Sequence, residues 1–97
     1  MASTKGFSPD WTTHPGEHLA EYLEAREISQ AAFARQAGMT PKHVSEIING
    51  KAPVMAETAL KLEAALGLKA EIWMGLQVTH DLFHARKRNR GSAEAHA

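Results

Sequence analysis

The chain has 97 residues, with 11 Lys and Arg balanced by 11 Asp and Glu and no cysteine. That length makes one domain, able to bury a core but too short to surround a deep catalytic cleft. The missing cysteine excludes disulfides and thiolate metal sites and fits a reducing cytoplasm, while a formal net charge of zero argues against a general polyanion binder.

Residues 1–13 read as a loosely held N-terminal arm with Phe7 and Trp11 as anchors. They lack the apolar stretch of a secretory leader, and no apolar run in the chain reaches membrane-spanning length. Next comes HPGEH, residues 14–18. As a pattern this is His-x-x-Glu-His, the inverted zinc-protease motif, with His14 and His18 as ligands and Glu17 as general base. Two histidines four apart share a metal only across a continuous helical turn. Pro15 disfavours helical geometry in the residue before it. His14 is therefore expected outside a helix that Pro15 opens, with Glu17 favouring the positive end. A metal-dependent hydrolase built on His14, Glu17 and His18 is the weaker alternative. No nucleophile–base pair, phosphate-cradling loop or cofactor fingerprint occurs, so no catalytic residue, metal or cofactor is expected.

From His14 onward the helical period dominates. GEHLAEYLEAREI places Leu19, Tyr22, Leu23 and the stem of Arg26 on one face and Glu17, Glu21 and Glu24 on the other. SQAAFARQAG follows, with Ser29 as N-cap, Phe33, Ala34 and Ala37 inward, and Gly38 as the stop. TPKHVSEIING takes Thr40 as N-cap and Pro41 in the first turn, and ends at Asn49-Gly50. After KAPV, the helix in MAETALKLEAALG turns Ala59, Leu62 and Leu66 inward and closes at Gly67. A last helix spans about 70–86, and residues 87–97 read as a basic, disordered, solvated tail. The expectation is an all-α domain of five helices over 14–86, without internal repeats.

The second and third helices carry the functional signal. Ala34 is small where the two must cross, Gly38 suits a turn with positive φ, and Val44 and Ile47 anchor the third helix. That spacing outlines a helix-turn-helix. Projected at about 100° per residue, the third helix buries Val44, Ile47 and Ile48 and turns Lys42, His43, Ser45, Glu46 and Asn49 outward, with Pro41 leading. Lys42 could donate to guanine O6 or N7 and Glu46 could accept from cytosine N4. His43, Ser45 and Asn49 are sequence-tolerant partners. Gln30, Arg35, Thr40, Asn49 and Lys51 suit phosphates. The alternative, a merely solvated face, gives way before the turn pattern and the local positive balance.

The last helix spreads Ile72, Met74, Leu76, Val78, Leu82 and Phe83 over roughly 200° of its surface, where one core needs only about 100°. Gly75 within that arc would admit another backbone. Ile72, Met74, Gly75, Val78 and Leu82 are accordingly expected at a homodimer interface. His80 and His84 fall on a polar face shared with Trp73 and Gln77. Their i, i+4 spacing permits a shared metal ion, the alternative being solvated or core-edge histidines.

SQAAFARQAGMTPKHVSEIINGK resembles the Cro/repressor-type (XRE), lambda-repressor-like helix-turn-helix, with Gln30, Ala34, Gly38, Val44 and Ile47 at matching positions. The flanks HPGEHLAEYLEAREIS and AETALKLEAALGLKAEIWMGLQVTHDL resemble the HigA family of antitoxins, also called VapI or plasmid-maintenance antidote proteins. The likeness runs from about His14 to Phe83. It implies a cytoplasmic, nucleoid-associated dimer that binds double-stranded operator DNA, represses its own operon and silences a RelE-like ribonuclease toxin. It also implies base contacts from Pro41, Lys42, His43 and Glu46 and backbone contacts from Gln30, Thr40, Asn49 and Lys51. Two positions depart from the pattern. Met55 stands where a capping Ser or Thr is usual, and Pro41 removes a base hydrogen bond. A stand-alone repressor without a toxin is the rival reading. The stripe Glu17, Glu21 and Glu24 is either a wet face or a surface for a basic toxin. RKRNR, residues 86–90, is either a non-specific DNA contact or a solubilising end.

Overall fold

The computed structural model describes the backbone of residues 12–96 and the side chains of residues 12–90. Five helices follow one another: α1 (Pro15–Arg26), α2 (Gln30–Ala37), α3 (Pro41–Ile48), α4 (Ala56–Leu66) and α5 (Ala70–His96). Among the described residues there is no strand, as the periodicity predicts. Phe7 and Trp11 lie outside the described residues.

Local chemistry sets the helix ends. His14, Ser29 and Thr40 are extended N-caps whose side chains accept from the backbone N–H of Gly16, Ala32 and His43, satisfying donors that a helix start leaves free. Pro15 and Pro41 open α1 and α3, where a missing N–H costs nothing. Gly38, at φ 70°, ends α2 in the left-handed region. Met55 offers α4 no side-chain cap. The Ala70 N–H at the start of α5 donates instead to Glu63 Oε2, 3.1 Å away.

Leu19 and Leu23 of α1, Phe33 and Ala34 of α2, Val44 and Ile47 of α3, Ala59 and Leu62 of α4 and Trp73 of α5 form one core with Val54 of the α3–α4 loop. Each fully buried large side chain contributes about 1.5–3 kcal/mol. The start of α1 backs directly onto the end of α3. A Cβ on Gly16 would lie 2.6 Å from the Ile47 carbonyl carbon, so only glycine allows the approach.

Helix α5 differs from expectation in two ways. The stripe read as a polar face is the inward one: Trp73 is wholly buried and Gln77 is 7% exposed. Gln77 is held there because its Oε1 accepts from the Val54 N–H at 2.7 Å and its Nε2 donates to Asp81 Oδ1 at 2.9 Å, so burial leaves its amide satisfied. The helix also continues to His96 rather than ending at Arg86. Residues 87–96, read as part of a disordered tail, contain no proline, and Lys87, Arg88, Arg90, Ala93, Glu94 and Ala95 favour a helix against Gly91. No helix among the described residues is long and apolar enough to cross a membrane.

Candidate nucleic-acid interface

The α2–turn–α3 unit is built from local signals. Ala34 is fully buried between the two helices. Past Gly38 the chain reverses, with the Met39 N–H donating to the Ala34 carbonyl at 2.8 Å. Lys61 of α4 braces the turn from outside, its Nζ donating to the Gly38 carbonyl at 3.3 Å. Thr40 Oγ1 then accepts from the His43 N–H at 3.0 Å and starts α3.

Burial of Val44 and Ile47 fixes the rotation of α3. Pro41, Lys42 and Asn49 are exposed, and His43, Ser45 and Glu46 are half-buried. Lys42, Ser45 and Asn49 follow one another at helical spacing along the outer ridge. Asn49 turns back on that ridge, its Nδ2 donating to the Ser45 carbonyl at 2.9 Å and to Ser45 Oγ at 3.3 Å. Ser45 and Asn49 thus occupy part of each other's capacity. Beyond α3 the N–H groups of Lys51 and Ala52 both donate to the Glu46 carbonyl, at 2.8 and 3.1 Å. This fixes the Lys51 backbone while its side chain stays exposed.

Gln30 is exposed in the first turn of α2, beside amides that could meet a phosphate. Arg35 is exposed as well, but five residues on and about 140° around the helix from Gln30; the arrangement leaves it apart. Among the described residues no ion pair engages Arg35, Lys42 or Lys51.

HPGEH resolves as a helix entrance. His14 stands outside α1 and its Nδ1 accepts from the Gly16 N–H at 3.0 Å. His18 Nε2 lies 3.2 Å from Thr13 Oγ1. The His80 and His84 rings meet edge to face at 4.5 Å, and His80 is half-buried. Among the described residues no group of three or more His, Asp or Glu is placed to hold a metal ion.

Two supports of the interface escape sequence reasoning. Gln77 reaches from α5 to hold Val54, and so steadies the loop that carries Lys51. His14 lies against Gly50, where a Cβ would meet its ring atoms at 3.1–3.4 Å. The signal for Gln77 was present, since residues 73, 77, 80 and 84 form one helical stripe led by tryptophan.

Away from this face, Ile72, Val78 and Leu82 of α5 are 47%, 50% and 43% exposed. Met74 is half-buried, and nothing lies within 4 Å of a Cβ built on Gly75. Met55 and Leu60 add exposed apolar surface near α4. Glu17, Glu21 and Glu24 are exposed along α1.

A helix-turn-helix family model matches residues 19–73. The chain is 39% identical over 80 residues to antitoxin HigA-1 of Vibrio cholerae, covering 81% of this chain and 75% of that protein. It is 36% identical over 70 residues to virulence-associated protein I of Dichelobacter nodosus, covering 71% of this chain and 65%, just under two thirds, of that protein. The solved structure of Pseudomonas aeruginosa antitoxin HigA with the higBA promoter is similar at a TM-score of 0.81 and 31% identity, over 90% of this chain and 96% of that one.

Proposed function

The chain belongs to the helix-turn-helix family that includes the HigA antitoxins, and from that membership we propose that it is an antitoxin that represses its own operon by occupying operator DNA as a dimer. The observation that carries this reading is the outer ridge of α3, polar and held in fixed rotation by Val44 and Ile47. The promoter complex of the similar Pseudomonas protein supports the same use of the scaffold.

In the proposed complex α3 enters the major groove with its N-terminal end leading. Lys42 donates to a guanine edge and Glu46 accepts from cytosine N4. Pro41, His43 and Ser45 line the same surface and shape the fit. Gln30, Thr40, Asn49 and Lys51 take the phosphates on either side, with Arg35 reaching from the flank. Carboxylate near phosphate lowers affinity, so Glu46 serves discrimination. A two-fold dimer through Ile72, Met74, Gly75, Val78 and Leu82 presents two such helices to half-sites about one helical turn apart. The second partner is a RelE-like ribonuclease toxin. An enzyme that binds RNA carries positive charge, and the stripe Glu17, Glu21 and Glu24 offers it an acidic surface.

Titrating the DNA upstream of the gene by gel shift, with and without the product of the neighbouring gene, tests this function. Specific retardation, altered by the neighbouring protein, is expected. Retardation indifferent to that protein favours a stand-alone repressor. Equal retardation of random DNA overturns the reading.

A further inference from the structure

We infer that two copies of the chain join by laying their α5 helices antiparallel, with Leu82 of each copy over Gly75 of the other and Glu71 of each facing Arg86 of the other. The inference rests on the dimeric reading above and adds what that reading leaves open, the direction and register of the pair.

At about 100° per residue, Glu71, Gly75, Val78, Leu82 and Arg86 fall within roughly 80° of one another on α5. This seam lies opposite the side that enters the core through Trp73 and Gln77. Every residue in it is exposed, and nothing in the chain lies within 4 Å of a Cβ built on Gly75. Among the described residues neither Glu71 nor Arg86 makes an ion pair. They stand roughly 22 Å apart along the helix, so they meet only across two chains.

Charge selects the direction. Parallel helices set Glu71 against Glu71, Arg86 against Arg86 and Gly75 against Gly75, with repulsion at both ends and a gap between. Antiparallel helices bring opposite charges together at both ends.

Shape selects the register. The alignment that faces Glu71 with Arg86 also faces Gly75 with Leu82 and puts Val78 beside the two-fold axis, next to its own copy. A side chain thus meets the one position that lacks one. Sliding the pair by about a turn, so that Glu71 meets Arg90, leaves Leu82 opposite Thr79 and Gly75 opposite Arg86. Sliding it the other way sets Leu82 against Glu71.

Helix α4 extends the contact. Beside Glu71 and Met74 a shallow groove between α4 and α5 is lined by Ala56, Leu60 and Ala70, and Leu60 is 56% exposed. The same register lays Leu82 and Ala85 of the second copy along the side of α5 that borders this groove. One partner therefore covers the apolar surface of both helices. Because Gln77 of α5 holds the loop after α3, pairing α5 with α5 also sets the separation of the two recognition helices.

Dimer dissociation constants of the full chain are measured by ultracentrifugation for Glu71→Arg, Arg86→Glu and the double variant. The two-fold alters both ends at once, so each single reversal is expected to raise the constant by up to about tenfold and the double variant to return it toward wild type. Single reversals without effect, or a double variant weaker than either, overturn the pairing. The chain has no cysteine, so Glu71→Cys and Arg86→Cys report direction under mild oxidation. Disulfide-linked dimers are expected only when the two proteins are mixed. Each protein linking to itself overturns the inference in favour of parallel helices. A stable wild-type dimer that gives neither link overturns the α5 pairing and leaves the dimeric reading standing. A wild type that stays monomeric, free and on the upstream DNA, removes both.

Discussion

Gly16→Ala adds one methyl group at the junction of α1 and α3. The new Cβ lies 2.6 Å from the Ile47 carbonyl carbon and 2.8 Å from Cε1 of His14, where ordinary contact begins at 3.4 Å. The Ile47 carbonyl oxygen is nearer still, so the first turn of α1 must withdraw from α3 by more than 1 Å, and the atoms it meets are helical backbone rather than a yielding side-chain tip. Overpacking of this kind costs about 1–3 kcal/mol. Loss of the Gly16–His14 bond adds about 1 kcal/mol, and the better helix propensity of alanine returns up to about 1 kcal/mol. The net is about 2 kcal/mol, or a fall in melting temperature of about 8–16 °C for a domain of this size. Thermal denaturation followed by circular dichroism measures it, with operator affinity expected to fall in parallel. A Gly16→Ala protein that melts with its parent would refute the argument that close backbone approach is what this glycine provides.

Gly75→Ala makes the same chemical change where nothing lies within 4 Å. It should stabilise the isolated helix by up to about 1 kcal/mol, yet raise the dimer dissociation constant measured by ultracentrifugation if a partner backbone packs there. Gln77→Leu strands the Val54 N–H and should cost about 1–3 kcal/mol in chemical denaturation; a neutral result would show the loop finding another acceptor. Lys42→Ala and Glu46→Ala should each change base preference in a randomised-operator selection, by about 1–3 kcal/mol at one position, and uniform weakening across all sequences would remove them from readout. Lys51→Ala should instead weaken every sequence alike and reduce the salt slope of binding by about one unit.

The helix-turn-helix is legible in the sequence because its determinants are local. Ser29, Gly38, Thr40 and Pro41 set helix ends within a few residues of themselves, and Val44 and Ile47 fix the phase of α3. The outer ridge follows by subtraction. What periodicity could not give is anything that depends on an atom far along the chain. The stripe led by Trp73 marks Gln77 as a candidate for burial, but its partner, the Val54 N–H 23 residues away, is set only by packing. Trp73, placed on the same polar face, is wholly buried because its apolar bulk outweighs its single N–H. Gly16 looks like a helix-start residue, and its closeness to Ile47 exists only once α1 and α3 are packed. Asn49, assigned to phosphate, spends a donor on Ser45, a choice made by local geometry beyond any pattern.

The carbonyl of Glu46 holds both Lys51 and Ala52, while its carboxylate makes no hydrogen bond or ion pair among the described residues. On the proposed readout the two halves of this residue carry separate duties. Any residue supplies the carbonyl, so these two hydrogen bonds do not depend on which side chain stands at position 46. In that readout a substitution at this position alters the base preferred while the two hydrogen bonds that join α3 to its following loop stay in place.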